Sequence, residues 1–178
     1  SGGPLLKTMR GLDATLVPSR QVYFLDPNGT NAKARWLVKR DYALLGKTGY
    51  ELVGPEELTE RDAPRIVELY NMLYLDKYSL HNPRFSVELI RLALRERVLR
   101  LHALRRNGRI DAVLGYYRRG GMMTTPLFGY DTALPQETGL YRMLSAVLIG
   151  ICAREGLLLH ESSGAAQFKR NRGAVSDI

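Results

Sequence analysis

The stretch "VLRLHALRRNGRIDAVLGYYRRGGMMTTPLFGY", residues 98–130, decides the fold. Apolar and polar side chains alternate in its first part, which is typical of a β-strand with one buried face. The "NG" pair at 107–108 is a strong hairpin signal, and "GG" at 120–121 marks a second turn. The stretch therefore predicts three consecutive antiparallel strands, with Pro126 at a bulge or an edge of the third strand.

The chain after the third strand predicts a strand–helix–strand unit. A loop, "DTALPQET" at 131–138, leads into a helix over 139–155, which Gly156 ends. The apolar run "LLLHE" at 157–161 is typical of a short buried strand. A return through a helix favours parallel pairing of the two strands. We therefore predict an α/β (α+β) fold with a mixed sheet, an antiparallel meander followed by β-α-β, and helices packed on both faces.

The first third of the chain forms a separate predicted region. It contains a strand-like piece, a turn and then a basic amphipathic helix that starts near residue 31, with Trp36 and Tyr42 on its apolar face. We predict that residues 1–55 are a linker or the remnant of a preceding half, and that residues 56–178 form the main domain.

Composition favours a globular protein with an anionic partner. The chain has 178 residues, of which 45% are hydrophobic and 25% charged, and its net charge is +8. Such a charge suggests phosphates, nucleic acid or acidic lipid headgroups as partners. The single cysteine, Cys152, excludes disulfide frameworks and cysteine zinc sites. No other metal-ligand spacing occurs in the sequence, so we predict no metal.

The sequence also bears on location. No apolar stretch approaches the roughly 18 residues of a membrane span. The opening "SGGPLLKTMR" lacks the apolar core of a signal peptide. We therefore expect no membrane span and a cytoplasmic location, which the lone cysteine also fits. The oligomeric state stays open.

The loop that leads into the predicted helix is the first candidate site. Its sequence is "QETGLY", residues 136–141. A helix N-terminus presents unpaired N–H groups and the positive end of the helix dipole, so it can hold a pyrophosphate. Gly139 would let the backbone approach such a ligand closely. Most helix starts bind nothing, so the loop alone leaves both interpretations open.

The meander, the Q-x-x-G turn into a helix and the next strand together resemble the acyl-CoA N-acyltransferase (GNAT) fold. Its usual motif is Gln/Arg-x-x-Gly-x-Gly/Ala; Gln136 and Gly139 match it, whereas Tyr141 stands where a small residue is usual. The resemblance implies acyl-CoA or acetyl-CoA as a co-substrate. The residues that it implies for binding this donor are Gln136, Glu137, Thr138, Gly139, Leu140 and Tyr141.

The segment "LLLHESSGAAQFKRNRG", residues 157–173, is similar to the group that contains FemAB-like peptidoglycan aminoacyltransferases and CelD-like proteins. That group ends this strand with a small-residue turn and a Phe-Lys pair, which Phe168-Lys169 matches, and the resemblance extends over 31–173. It implies that Lys169 neutralises the charge of an anionic substrate and of the transition state. The substrate-binding candidates are Phe168, Arg170, Arg172 and Tyr130. A solvated basic turn is the alternative for the cluster.

The same resemblance also bears on whether this chain contains all strands and both halves of such a protein. Proteins of this group often contain two related halves, and their sheet continues with further strands after the lysine. Both features leave open an incomplete C-terminal edge in this chain, or a partner half that carries the activity.

Two acidic residues complete the catalytic candidates. Amine acylation needs a base that removes the ammonium proton. Asp131 and Glu161 each follow a strand end, where the sheet edge usually forms a ligand crevice. Alternation places His160 and Glu161 on opposite faces of the sheet. His160 and His102 lie in apolar strands, where a structural role is more common.

We therefore predict an N-acyltransferase that works by direct attack in a ternary complex. The acyl or aminoacyl donor would be CoA, acyl carrier protein or aminoacyl-tRNA, and the acceptor a small amine, with Lys169, Glu161 and Asp131 as catalytic residues. The alternative is a catalytically degenerate GNAT-fold module that binds nucleic acid or a protein partner. Its phosphate-binding surface would combine residues 33–40 with residues 169–172.

Overall fold

The computed structural model describes residues 8–9, 11–12, 15 and 20–177. Most of the opening decapeptide, on which the signal-peptide prediction rests, lies outside them. The described part contains one mixed sheet with the strand order β2-β3-β4-β5-β6-β1-β7. Its strands are β1 (Val22–Leu25), β2 (Glu51–Val53), β3 (Arg100–Arg106), β4 (Arg109–Arg119), β5 (Met122–Tyr130), β6 (Leu158–His160) and β7 (Val175–Asp177).

The predicted topology is confirmed. Strands β3, β4 and β5 form the antiparallel meander, and β5 pairs in parallel with β6. Strand β1 lies antiparallel to both β6 and β7, so the beginning and the end of the described chain share one side of the sheet. The predicted division at residue 55 stays a prediction.

Helices cover both faces of the sheet, as predicted. They are α1 (Ala32–Tyr42), α2 (Leu44–Thr48), α3 (Ala63–Asn71), α4 (Val87–Arg95), α5 (Leu140–Glu155) and α6 (Ala166–Asn171), and a π-helix (Met72–Tyr78) continues α3. One core joins α5 to β1, β4 and β6, and the other joins α3 and α4 to β3, β4 and β5. Local signals explain the helix starts, since Asn31 and Ser86 each cap a helix with their side chains.

The first basic helix differs from its prediction. Trp36 is 59% exposed and Tyr42 is 44% exposed, so neither forms the buried face of α1. Ala34 and Asp41 are the buried residues instead. The reason is electrostatic: arginines from distant parts of the chain bind the Asp41 carboxylate and draw that side of α1 inward.

A bulge in β5 confirms the prediction for Pro126. Between two paired positions, β4 advances from Gly115 to Tyr117 while β5 advances from Thr124 to Leu127, so β5 carries one extra residue. Such a bulge bends the strand and increases its twist. The part of β5 after the bulge packs against α3. At Gly129 the two backbones are so close that a Cβ would come within 2.6 Å of the α3 backbone.

The sheet opens beyond this bulge. Strand β5 pairs with β6 only from Met122 to Thr124. The chain after β6 stays with β1, because Glu161 donates its N–H to the carbonyl of Tyr23 at 2.8 Å. The end of β5 stays with β4, since the Asp131 N–H binds the carbonyl of Asp111. The two parallel strands therefore separate, and a cleft forms between their carboxyl ends.

Candidate functional site

Two adjoining cavities occupy this cleft. The first, which we call the strand cavity, has a volume of about 500 Å³. Its walls come from β5 (Thr125, Phe128), α5 (Tyr141, Ser145, Leu148), the π-helix (Leu73, Tyr74, Tyr78), the segment 161–165 and Lys169, with Arg20, Ser79 and Asn82 also lining it. The second, the helix cavity, measures about 680 Å³ and surrounds the first turn of α5. Tyr78, Tyr141 and Ala165 line both cavities and so mark their junction.

Glu161 faces the strand cavity with an unpaired carboxylate. Its Oε2 atom is buried and accepts no hydrogen bond from the described residues. Burial raises its pKa to about 7, although the positive charges of Lys169 and Arg172 act in the opposite direction. A carboxyl with this pKa exchanges a proton readily near neutral pH, which suits a general base.

Lys169 lies in helix α6 and not in a turn. Its side chain is buried, and its Nζ donates to the backbone carbonyls of Glu161, Ser162 and Ser163 at 2.5, 3.3 and 3.0 Å. An ammonium group has three N–H donors, so all of them have partners. Burial lowers the pKa of Lys169, and the charge of Glu161 opposes that change. This geometry fits a residue that holds the segment 161–163 in place.

Asp131 lies at the end of β5, but its carboxylate is fully engaged. Arg65 donates to Oδ2 at 2.8 Å, Arg109 donates to the same atom, and the Ala133 N–H donates to Oδ1 at 3.0 Å. Burial raises its pKa, but the hydrogen bonds from Arg65 and Ala133 outweigh burial, and the net result is a lowered pKa. A carboxylate held in its charged form is a poor proton acceptor at neutral pH, so this arrangement favours a structural role for Asp131 over the predicted catalytic one.

The predicted donor loop lies in the helix cavity. Residues Gln136–Thr138 form one 3₁₀ turn, and Gly139 adopts a left-handed conformation with φ of 76° before α5 begins at Leu140. A side chain at Gly139 would be strained there, and its Cβ would come within 3.0 Å of Leu44. Gln136, Gly139, Leu140 and Tyr141 line the cavity, together with the cationic Arg40, Lys77, Arg142 and Arg172.

Tyr141, the residue that departs from the usual motif, packs at the junction of the two cavities. Its ring lies edge-on to Phe168 with a centroid distance of 4.8 Å, to Phe128 at 5.6 Å and to Tyr130 at 6.3 Å. Burial raises the pKa of its phenol, and the charge of Glu161 adds to that effect. The phenol therefore stays protonated at neutral pH.

The basic cluster at 169–172 is mostly internal. Arg172 is buried and donates to the Asp41 carboxylate and to the Phe168 carbonyl, while its guanidinium lies 3.3 Å from the Phe168 ring centroid. Arg170 is exposed and donates to the Tyr23 hydroxyl at 3.0 Å. The cluster is thus neither a solvated turn nor an open phosphate-binding surface. The nucleic-acid alternative assigns Lys169 and Arg172 to its binding surface, but both side chains are buried.

Asp41 and the π-helix tyrosines are functional candidates that sequence reasoning missed. Asp41 is completely buried and binds both Arg142 and Arg172 at the edge of the helix cavity. No local signal marks it, because its partners lie 101 and 131 residues away. Tyr74 and Tyr78 recur at helical spacing, which predicts core packing, but the π-helix turns them towards the cleft.

Among the described residues, no group of three or more His, Cys, Asp or Glu side chains could hold a metal ion. Within the same residues, no helix is both long and apolar enough to cross a membrane.

Solved structures with the same fold include two related to lysylphosphatidylglycerol synthesis. The C-terminal domain (DUF2156) of a protein named "Putative Lysylphosphatidylglycerol Synthetase", from Agrobacterium fabrum, matches with a TM-score of 0.65 and 13% identity over 89% of this chain and 58% of that one. The L-PGS structure from Bacillus licheniformis gives a TM-score of 0.63 and 14% identity over 88% and 57%. This chain therefore spans less than two thirds of either protein.

Comparison with acetyltransferases is consistent with this fold. A GCN5-related N-acetyltransferase from Kribbella flavida matches with a TM-score of 0.53 and 12% identity, covering 82% of this chain and 31% of the other. No curated protein sequence matches the chain. The model of the acetyltransferase (GNAT) domain family, in contrast, matches residues 33–170, which span the meander, the donor loop and Glu161. The chain therefore belongs to the GNAT acetyltransferase domain family.

Proposed function

We propose that this chain transfers an acyl or aminoacyl group to an amine in the strand cavity, with Glu161 as the general base. The observation that carries the proposal is the unpaired Glu161 carboxylate, which is buried beside a cavity at the opening of the sheet. Its pKa of about 7 matches the working range of a base at neutral pH. Of the two acidic candidates at the strand ends, Glu161 has the environment that the reaction needs.

The chemical step is a direct transfer between two bound substrates. Glu161 takes a proton from the acceptor's ammonium group, and the freed amine nitrogen attacks the carbonyl carbon of the donor. The tetrahedral intermediate then collapses, a carbon–nitrogen bond remains, and the bond to the donor's sulfur or oxygen breaks. The leaving group takes up one proton. The Tyr141 phenol, protonated at neutral pH and close to Glu161, is our candidate for supplying it.

We assign binding of the acyl donor to the helix cavity. A CoA-type donor has a pyrophosphate, which the N-terminus of a helix binds through free N–H groups and its dipole. Here α5 begins at Leu140, directly after the left-handed Gly139, and Arg40, Lys77 and Arg142 add positive charge at its first turn. The residues present therefore fit a phosphate-bearing donor, and backbone N–H groups would polarise its carbonyl.

Lys169 has a positioning role in this proposal. Its ammonium group binds three successive carbonyls, from Glu161 to Ser163, and so fixes the backbone that carries the base. It also places a positive charge beside the cavity, which favours the charged form of Glu161. The expected role in neutralising substrate charge is secondary to this one.

Within the GNAT family, we propose that the chain belongs to the FemAB/CelD-like group. Two types of donor are compatible with this proposal. The Phe168-Lys169 pair supports the group, since both residues pack at the cleft. The two synthetases named above favour an aminoacyl donor, because their names describe attachment of lysine. The GCN5-related neighbour favours acetyl-CoA.

A thermal-shift titration tests the proposal. The ligands are CoA, acetyl-CoA and a long-chain acyl-CoA. The variants are Gly139→Trp, which puts a bulky side chain against Leu44 at the start of α5, and the surface variant Gly46→Trp. Circular dichroism confirms that each variant is folded. A ligand that binds only the folded state at a hundredfold excess over its Kd stabilises it by about 2.7 kcal/mol. We expect stabilisation of the wild type and of Gly46→Trp but not of Gly139→Trp. No shift with any of the three would exclude a CoA donor and move the test to aminoacyl-tRNA and acyl carrier protein.

A further inference from the structure

Two groups of aromatic side chains line the strand cavity, and we call them its aromatic arrays. On the π-helix side, Tyr74 stacks on Tyr70 with a centroid distance of 4.7 Å, and Tyr78 meets Tyr74 edge-on at 6.0 Å. On the sheet side, Phe128 meets Tyr141 at 5.6 Å. The arrays are close enough that Tyr74 and Tyr78 each raise the pKa of Tyr141. The negative faces of such rings attract organic cations.

Glu161 is the one carboxylate among the described residues that line this aromatic enclosure, beside the cations Lys169 and Arg20. The Glu161 Oε2 atom and the Thr125 hydroxyl are both buried in it, and neither has a hydrogen-bond partner among the described residues. Neither cation satisfies these atoms: the three N–H groups of Lys169 are taken by backbone carbonyls, and Arg20 is exposed. Buried polar groups are normally satisfied, so a pair of unsatisfied acceptors in one cavity indicates a missing donor.

We infer that the strand cavity recognises its acceptor as a small organic monocation, with the ammonium group on Glu161 and Thr125 and an apolar body between the two aromatic arrays. The acylation of that amine rests on the proposed function, but its recognition does not. A volume of about 500 Å³ is in the range of small-molecule sites, so the body is of the size of one ring or a short alkyl chain.

This inference separates acceptor classes that the fold alone leaves open. An ammonium ion can donate three hydrogen bonds and loses its hydration shell at low cost only where a carboxylate and aromatic faces replace it. A neutral alcohol lacks the charge, and an anionic acceptor such as a phosphate ester has no N–H group to donate to the unpaired carboxylate. We therefore expect selection for cations over isosteric neutral and anionic compounds.

The test is calorimetric binding, without any donor, of three compounds of the same shape: phenethylamine, 2-phenylethanol and phenylacetate. It is carried out at pH 8, above the pKa of about 7 of Glu161, so that the carboxylate is charged. We expect phenethylamine to bind at least tenfold more tightly than 2-phenylethanol and phenylacetate not to bind. Glu161→Gln should abolish the preference, and Tyr74→Leu should weaken amine binding about threefold to thirtyfold. Glu88→Gln, on the exposed surface of α4, is the matched control.

Each outcome decides something. Equal binding of amine and alcohol, preference for phenylacetate, or no binding of phenethylamine to the folded wild type overturns the inference. If the amine binds as expected but no acyl donor supports transfer, the proposed function fails and the inference stands. If acyl-CoA stabilises the protein and the amine does not bind, the inference fails and the proposed function stands. Circular dichroism of each variant confirms that a lost preference is not a lost fold.

Discussion

Glu161 and Asp131 follow the ends of neighbouring parallel strands, yet their surroundings give them opposite properties. Asp131 has Arg65, Arg109 and a backbone N–H as partners, and its pKa is lowered. Glu161 has no partner for its Oε2 atom, and its pKa is raised to about 7. Both side chains are largely removed from water, so burial alone does not decide the outcome. The supply of hydrogen-bond donors decides which carboxylate is structural and which can exchange protons.

The largest expected effect separates the two residues by activity. Once a donor and amine pair is found, Glu161→Gln should lower kcat/KM about 10²- to 10⁴-fold, because the amide cannot accept the ammonium proton. Asp131→Asn should lower it less than tenfold at a temperature where that variant is folded. Steady-state kinetics on both variants makes the comparison. A greater loss in Asp131→Asn than in Glu161→Gln would reverse our assignment of the base.

The second prediction compares the stability of variants at the two residues. Here we expect the loss of Asp131 to cost more than the loss of Glu161. Asp131→Ala removes the nearer of the two buried carboxylates that Arg65 contacts and leaves it with Asp111 at 3.6 Å. Breaking a buried ion pair typically costs about 3–5 kcal/mol, and we expect a loss near the lower end of that range. Glu161→Ala removes a carboxylate that has no partner to lose, so its cost should be below about 2 kcal/mol. Urea unfolding of the two variants measures the difference. Similar costs for both would show that Glu161 has a partner in the folded protein.

The dependence of stability on pH sharpens the comparison further. Glu161 has a folded-state pKa of about 7 against an ordinary value of 4.5, so between these values the folded state binds the proton more tightly. Its contribution to stability is therefore lost as the pH rises from 4.5 to about 7. For Asp131, whose pKa is lowered from 3.8, the contribution is present above that value and is lost as the pH falls further.

Unfolding free energies measured from pH 4 to pH 8 test the sign. Relative to the wild type, Glu161→Gln should gain stability as the pH rises, by up to ~3 kcal/mol, since one pKa unit corresponds to about 1.4 kcal/mol. The gain should level off above pH 7. A difference that is flat over this range, or that grows towards acid pH, would contradict the raised pKa.

Much of the fold was predictable because its signals are local. The "NG" turn, the double glycine at 120–121 and the bulge at Pro126 each depend on the conformational preferences of one or two residues, and the structure contains all of them. The parallel pairing of β5 with β6 followed from the intervening helix. Chain connectivity and turn chemistry were sufficient for these elements.

The site was predictable only in outline. Sequence position identified both Glu161 and Asp131 as strand-end acids, but the arginines that distinguish them come from α3 and β4. The contacts of Lys169 depend on α6, which begins after Ala165. Ala165 has a left-handed backbone, a conformation that is expected of glycine and not of alanine. Arg172 was predicted to bind substrate, with a solvated turn as the alternative, and its partner Asp41 is 131 residues away. Such long-range pairings leave no local signal.

The smallest expected effect tests how firmly the Asp131 network is held. Arg109 and Arg65 bind the same oxygen of Asp131, but the Arg109 side chain is 60% exposed and that of Arg65 only 19%. An exposed ion pair is worth about 0–1 kcal/mol, so Arg109→Gln should cost less than about 1 kcal/mol. Arg65→Gln should cost more, because Arg65 also donates to the Ile110 carbonyl at 2.8 Å and to Glu68.

Thermal unfolding of these two variants, with Arg91→Gln on the exposed side of α4 as the control, measures this difference. If the Arg109 and Arg65 variants lose equal stability, the exposed arginine contributes as much as the buried one. Asp131 would then depend on both, and the contrast with Glu161 would rest on the number of cations around each carboxylate. If only Arg65 matters, the contrast rests on one buried guanidinium, supplied by α3 to the end of β5 and absent from the end of β6.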